Sequence, residues 1–527
     1  MMRKFLLLPF LLSAFSVFAQ QHVILIIADD VGPDYFGFYN TTTDTAKAPN
    51  IRSLASAGIK FNKVWSAPVC SPARAGIFTG RYPFRTGVGS VITNATSAQL
   101  DTNEVSIAKL LRTFSPMKYN TGSAGKWHLH ANIPPQRIYP NKMGFDFYSG
   151  NFNGAITDYY SYIRIRNGIQ DTVANYATTQ TVDDAISWMD TMNSTKPFFL
   201  WLAFNAPHSP FHVPPVSLCD TTGLSGTAAD ILASPEKYFK SAIQAMDTEI
   251  GRLFQYLDAH NLRDSTNIIF IGDNGNDSKV AQITNPSKAK GTVYDYGVRV
   301  PMIVSGPAVI NPGRSSDELV NTPDLFATIA ELGGFVNWKN FIPTGTIIDS
   351  RSLLSVLKDQ PGTRTWIFSE QFHSPAGVAD GKTIRNQDYH LLRFDNGNEA
   401  FYNQSADPEE NTNLLLNAMT ATEISNYHFL CDSLTALTGT GTCKPLQLAD
   451  LEKGKWMKII PNPVHNILEI CIREEISSVR IFNQLGGVVL TTSSKEIDLT
   501  NLSAGVYYVA LQLMNGEFLH EKIELIH

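Results

Sequence analysis

The sequence predicts an α/β fold with a mostly parallel sheet flanked by helices, followed by a smaller antiparallel subdomain and a short all-β unit. Three observations predict it. Apolar, β-branched runs at His22 to Ala28, Pro197 to Phe204 and Asn267 to Ile271 read as strands buried on both faces. Helical stretches alternate with such runs, as in βαβ units: Ser106 to Phe114, Thr181 to Met192, Pro235 to Asn261 and Pro323 to Leu332. After about Gly334 the runs shorten, as at Trp366 to Phe368 and His390 to Phe394, which suits antiparallel pairing.

Each element has its own local reason. In the stretch from Pro235, the residues Tyr238, Ile243, Met246, Ile250, Leu253 and Leu257 recur near 3.6-residue spacing and mark one buried face. Before all of these, Arg3 and Lys4 precede the apolar run Phe5 to Phe18, and Val17-Phe18-Ala19 offers small residues for a cut after Ala19. Residues 1–19 therefore read as a signal peptide, too short for a typical membrane span. No cysteine follows the cut, so a lipoprotein anchor is not expected. No later apolar stretch is long enough to cross a bilayer, so no transmembrane segment is expected. From Trp456 the texture becomes all-β: Leu468 to Cys471, Val479 to Phe482, Val488 to Leu490, Val506 to Gln512 and Ile523 to Ile526, with turns at Asn483 to Gly487 and Ser503 to Gly505. The expected divisions are 20–335, 336–450 and 456–527, with a polar linker at Leu451 to Lys455.

The 527 residues are 43% hydrophobic and 17% charged, enough for a large core and unlike a disordered chain. Loss of Arg3 and Lys4 takes the formal charge from −6 to −8, so no nucleic-acid partner is implied. The cysteines are Cys70, Cys219, Cys431, Cys443 and Cys471, an odd count that leaves at least one thiol unpaired. Cys431 and Cys443 are near enough in sequence to pair, and the spacings show no zinc pattern.

The chemistry centres on Pro68-Val69-Cys70-Ser71-Pro72-Ala73-Arg74, followed by Thr79-Gly80-Arg81. Pro72 suits the first position of a helix and Ser71 its cap, which would set the thiol just ahead of a helix N-terminus that attracts anions. Arg74 would reach back to the same spot. Taken alone, such a cysteine is usually a buried structural residue. Asp29-Asp30 and Asp273-Asn274 each end a buried strand, where open α/β sheets place their sites. As hard oxygen donors the two pairs would complete one calcium site, although acids and amides after strands also simply make turns. Asp273 ends an apolar run, so truncating it should leave that strand's packing intact and remove only a ligand. Lys126 and His128 in Gly125-Lys126-Trp127-His128 would lie on one side of an extended segment. His208 follows the run ending at Phe204, and Lys290 opens Lys290-Gly291-Thr292-Val293-Tyr294-Asp295-Tyr296-Gly297.

Cys-x-Pro-x-Arg with its trailing Thr-Gly-Arg resembles the signature of the type I sulfatases, members of the alkaline phosphatase superfamily. The other motifs follow in family order, and the resemblance covers most of residues 22 to about 415, including Tyr402 to Leu414. It implies that Cys70 is oxidised by a maturation enzyme to Cα-formylglycine (3-oxoalanine), whose hydrate is the nucleophile. It also implies calcium held by Asp29, Asp30, Cys70, Asp273 and Asn274. Arg74 would orient the hydrate, Lys126, His208 and Lys290 would bind the sulfate, His208, alone or with Lys290, would protonate the leaving alcohol, and His128 would take the proton of the remaining hydroxyl. The family's second lysine motif carries glycine where this chain has Tyr296. In the tail, Pro461-Asn462-Pro463, Ile481-Phe482-Asn483-x-x-Gly486 and Leu502-Ser503-Ala504-Gly505-Val506-Tyr507 resemble the C-terminal sorting domain of the type IX secretion system of Bacteroidota. That likeness implies export to the cell surface or medium through this machinery. The resulting expectation is a secreted sulfatase acting on sulfate esters, with sulfated saccharides as substrates. Its rivals are a phosphonate or phosphodiester hydrolase of the same superfamily and a non-catalytic glycan-binding protein.

Overall fold

The computed structural model describes residues 21–192, 195–377, 379–444, 457–472, 474–484, 486–514, 516 and 518–526. The signal-peptide reading and the linker at 451–455 lie outside the described residues. The chain forms two compact units, residues 1–414 with 436–438, and residues 415–435 with 439–527.

In the first unit, ten strands form one mixed sheet: β1 (His22–Ala28), β2 (Gly58–Trp65), β3 (Asn120–Gly125), β4 (Phe147–Gly150), β5 (Tyr162–Arg166), β6 (Ile169–Val173), β7 (Phe198–Ala203), β8 (Thr266–Gly272), β9 (Met302–Ser305) and β10 (Arg314–Asn321). Their spatial order is β10-β2-β9-β8-β1-β7-β3-β4-β5-β6. Parallel pairing joins β8 to β1, β1 to β7 and β7 to β3. Because β9 runs antiparallel to both β8 and β2, β2 points the same way as β8. The carboxyl ends of β1, β2, β3, β7 and β8 therefore meet along one edge.

Every residue of β1, β7 and β8 is buried, because helices cover both faces. Val23, Leu25 and Ile27 join one core with Phe78, Trp127 and Phe326, under the helices Cys70–Thr79 and Asp324–Leu332. Ile24 and Ile26 join another with Val182, Ile243 and Met246, under Ala177–Thr191 and Pro235–Ala259. All six residues expected on the inner face of Pro235–Ala259 are buried.

A second sheet is wholly antiparallel, in the order β11 (Ile367–Gln371), β12 (Gly381–Arg385), β13 (Tyr389–Phe394) and β14 (Glu399–Asn403). In the second unit, Cys431 and Cys443 form a disulfide. Its β part stacks a three-stranded sheet, β15 (Lys458–Ile460), β16 (Ile467–Cys471) and β19 (Glu496–Asp498), against a four-stranded one, β17 (Ile476–Asn483), β18 (Val488–Thr492), β20 (Gly505–Leu513) and β21 (Phe518–Leu525). Leu468, Val479, Val509 and Ile523 share one core, so this part buries its own apolar faces.

Candidate active site

The five converging strand ends deliver the expected residues to one place. The register of β1 on β8 sets Ala28 opposite Gly272, so Asp29 and Asp30 emerge beside Asp273 and Asn274. The backbone N–H of Asp30 donates to Asp273 Oδ1 at 3.0 Å, which cross-links the two turns. Asp30 itself takes a left-handed conformation, with φ of 63°. Five residues beyond β2, Cys70 opens the helix Cys70–Thr79, and its Sγ lies 3.6 Å from Oδ1 of both Asp29 and Asp30.

The start of that helix differs from the expected one. Val69 is the N-cap, with no side-chain cap bond, so Cys70 and Ser71 already belong to the first turn and Pro72 occupies its third position. Ser71 Oγ instead accepts from the N–H of Ile92, binding the helix start to the loop 88–100. Burial pushes the Cys70 thiol well above its ordinary range, which makes the unmodified thiol a poor nucleophile.

Three cations face the three carboxylates. Lys126 Nζ contacts both oxygens of Asp29 at 2.8 and 2.6 Å, and Lys290 Nζ contacts Asp30 Oδ2. Arg74 donates through Nε and Nη2 to Asp273 Oδ2 at 3.0 and 2.8 Å, and through Nη1 to the carbonyl of Lys126. Lys126 is 0% exposed and pairs with both oxygens of Asp29. One expectation changes here. Arg74, also fully buried, makes its bonds to Asp273, so Asp273 is not a free strand end that can be truncated without cost.

The electrostatics follow from burial and pairing. Burial raises the acidities' pKa for both Asp29 and Asp30, but the neighbouring cations, led by Lys126 and Lys290 respectively, outweigh it and hold both carboxylates below their usual range. Asp273 is pushed up, first by burial and then by Asp29, while the same neighbourhood holds Arg74 firmly charged. The two hydrogen bonds from Arg74 mark the two residues as an ion pair.

That centre has the chemistry of a hard-cation site. Single ligand atoms from Asp29, Asp30, Cys70 and Asp273 all lie within 4.8 Å of one another. Asn274 spends its amide N–H groups on Asp30 Oδ1 and the carbonyl of Gly275, which leaves Oδ1 buried with no partner. An orphaned buried amide oxygen beside three carboxylates fits a calcium ion.

Cys70, His128, His208 and Lys290 line one pocket of about 410 Å³, together with Val91, Ile92, Thr93 and the run Asn153-Gly154-Ala155. β3 stops at Gly125, and His128 has φ of 56°, so it turns out of the extended path rather than sharing one side with Lys126. Its Nε2–H donates to the Ile92 carbonyl at 3.1 Å, whereas Nδ1 is buried and unpartnered. Burial, then Lys126 and Arg74, push the pKa of His128 well down, so it stands as a neutral base. His208 Nδ1 donates to the carbonyl of Ser209 at 2.6 Å, and its Nε2 lies 3.4 Å from Asp30 Oδ2.

The sequence motifs did not indicate the Ile92 carbonyl, whereas Asn153 and Gly154 belong to the loop Gly144 to Tyr160, whose sequence position suits a pocket lining. Gly154 carries a steric signal only in three dimensions, because a Cβ there would lie 2.5 Å from Cε1 of His128.

Residues 21–335 match the sulfatase family. The chain belongs to that family. Residues 288–434 also match the N-sulphoglucosamine sulphohydrolase C-terminal family, and residues 458–523 match the secretion system C-terminal sorting domain. Among curated relatives, the sulfatase chain is 27% identical to arylsulfatase J of Mus musculus over 329 residues, 60% of this chain and 52% of that one. It thus spans about half the length of that relative. It is 26% identical to steryl-sulfatase of Homo sapiens over 461 residues, 68% of this chain and 75% of that one. Among solved structures it resembles Ps i-CgsB in complex with k-i-k-neocarrahexaose, with a TM-score of 0.67, 26% identity, and coverage of 80% of this chain and 92% of that one. Among the described residues of this sulfatase, no helix is long and apolar enough to cross a membrane.

Proposed function

We propose that this sulfatase is secreted and hydrolyses a carbohydrate sulfate ester to an alcohol and sulfate, using Cys70 as Cα-formylglycine and calcium as cofactor. The observation that carries the reading is Cys70 lining one pocket with His128, His208 and Lys290, its Sγ 3.6 Å from two carboxylates. The Sγ position stands in for an oxygen of the hydrated aldehyde.

Calcium, held by Asp29, Asp30, Asp273 and Asn274, would supply charge that offsets the negative charge on the transferring oxygens. The remaining roles belong to the chain. Arg74 and Lys126 fix Asp273 and Asp29, while Lys290 and His208 face the sulfate group. One hydroxyl of the Cys70-derived hydrate passes its proton to the adjoining carboxylates as its oxygen attacks sulfur, and the S–O bond to the sugar breaks. His208 gives the leaving oxygen its proton. The Nδ1 lone pair of His128 then takes the proton of the second hydroxyl, the carbon–oxygen bond to sulfate breaks, and the aldehyde returns for rehydration by water. Conversion of Cys70 requires a maturation enzyme in the producing cell.

The lining outside these groups is neutral: Val91, Ile92, Thr93, Asn153, Gly154 and Ala155. A carbohydrate ligand in the neocarrahexaose complex of Ps i-CgsB supports the substrate class. The sorting domain supports delivery outside the cell by type IX secretion. Parallel assays with an aryl sulfate and an aryl phosphonate test the reaction class, and peptide mass spectrometry tests residue 70. Preference for phosphonate, or an unconverted thiol in active protein, would overturn the reading.

A further inference from the structure

Tyr296 occupies the place where the resemblance calls for glycine, and its hydroxyl lies in a closed polar cluster behind the acid site. It donates to Asp34 Oδ2 at 2.7 Å and accepts from Asn276 Nδ2 and from the N–H of Gln282, both at 2.8 Å. One donor and two acceptor positions exhaust what a phenol offers. Asn276 Nδ2 also reaches both Asp34 oxygens, at 2.9 and 2.8 Å, and its Oδ1 accepts from the N–H of Gly32 at 2.6 Å.

The cluster therefore joins the two turns that carry the acid site. Gly32 follows Asp30 by two residues, and Asn276 follows Asn274 by two. The carbonyl of Asn276 accepts from the N–H of Lys290 at 3.0 Å, so the same residue anchors the lysine facing the pocket. Packing reinforces the bonds. Gly275 donates its N–H to the Gly297 carbonyl, and a Cβ on Gly275 would lie 2.1 Å from the carbonyl oxygen of Tyr296. A glycine at position 296 would have no hydroxyl to close this cluster.

We infer that Tyr296 is a positioning residue for the cation site: its hydroxyl holds Asp30, Asn274 and Lys290 in register through Asp34 and Asn276. The inference rests on the calcium reading proposed above. Outer partners that orient ligands act on metal affinity more than on global stability, and their loss weakens binding about 10-fold or more.

The test is calorimetric titration of calcium into chelator-stripped enzyme, comparing wild type, Tyr296→Phe and Tyr39→Phe. Tyr39 is a control that loses another hydroxyl, one bonded to the Met302 backbone and to none of Asp34, Asn276 or Gln282. Tyr296→Phe should raise the calcium dissociation constant about 10-fold, and saturating calcium should restore its kcat for an aryl sulfate. Tyr39→Phe should lower the melting temperature comparably with no change in calcium affinity. Equal calcium affinity in wild type and Tyr296→Phe, or the same weakening in Tyr39→Phe, would overturn the inference. Failure of wild type to bind calcium would overturn the cofactor reading and this inference with it. Asp34→Asn, which keeps side-chain volume, provides the same readout if Tyr296→Phe does not fold.

Discussion

Asp273→Ala is expected to lower stability as well as turnover, contrary to what its place at the end of an apolar strand suggests. Asp29, Asp30 and Asp273 balance Arg74, Lys126 and Lys290 within one buried cluster. Removing Asp273 strands a guanidinium that is 0% exposed, leaving it the Lys126 carbonyl and a 3.6 Å approach to Asp29. Breaking a buried pair from one side costs about 3–5 kcal/mol, and relief of repulsion between Asp273 and Asp29 offsets part of it. The net loss should be about 3 kcal/mol. Urea unfolding in chelator isolates this loss, because bound metal would otherwise add its own stabilisation. Asp273→Asn retains an oxygen for Arg74 and should fall between wild type and Asp273→Ala. Both variants should lose calcium binding. An Asp273→Ala protein as stable as wild type in chelator would refute the argument, because Arg74 would then need no partner.

The other expectations are more local. Cys70→Ala should be inert in every host, whereas Cys70→Ser should gain activity only where a maturation enzyme accepts serine; turnover by Cys70→Ala above a Lys126→Ala control would assign the nucleophile elsewhere. Gly154→Ala should displace the His128 ring and lower kcat roughly 100-fold with little change in melting, and wild-type kcat would show that the ring is not the base. His130 accepts from Trp127 Nε1 and donates to the Leu100 carbonyl, and burial pushes its pKa down from 6.5 to about 4. The fold therefore holds it neutral while the unfolded chain takes up a proton, so stability falls as pH drops from 6.5 towards 4, by up to about 1.4 kcal/mol per pH unit. His130→Gln should flatten that slope by one proton, and an unchanged slope would contradict the assignment. Truncation after Glu452 should leave aryl sulfate turnover unchanged, since the tail has its own core and contributes none of the pocket residues, but should hold the enzyme in the periplasm of a type IX-competent host; surface activity equal to full length would remove the sorting role.

What the sequence shows of this site is governed by the range of each interaction. Asp29, Asp30, Asp273 and Asn274 are legible because a buried strand is an apolar run and its carboxyl end is a fixed local position. Lys126, His128, His208 and Lys290 are legible as motifs in order, but their partners are not. Arg74 reaches Asp273 across 199 residues, and nothing near either residue names the other. His128 meets the Ile92 carbonyl for the same reason, and Ser71 gives up a local capping role for a bond to Ile92 that depends on how a distant loop folds back.

The information that sets those partners is the strand register. Pairing Ala28 with Gly272 brings the Asp30 N–H onto Asp273 and the Asn274 amide onto Asp30, leaving Asn274 Oδ1 buried without a partner. A slip of one residue between β1 and β8 would turn one strand's side chains to the opposite face and place Asp29 beside Asn274. The cluster would then lose both its cross-link and its balance of three acids against three cations. Val23, Leu25 and Ile27 pack in one core and Ile24 and Ile26 in another, so a slip would have to refit both close-packed cores at once. The apolar core of the sheet thus sets the geometry of its most polar edge.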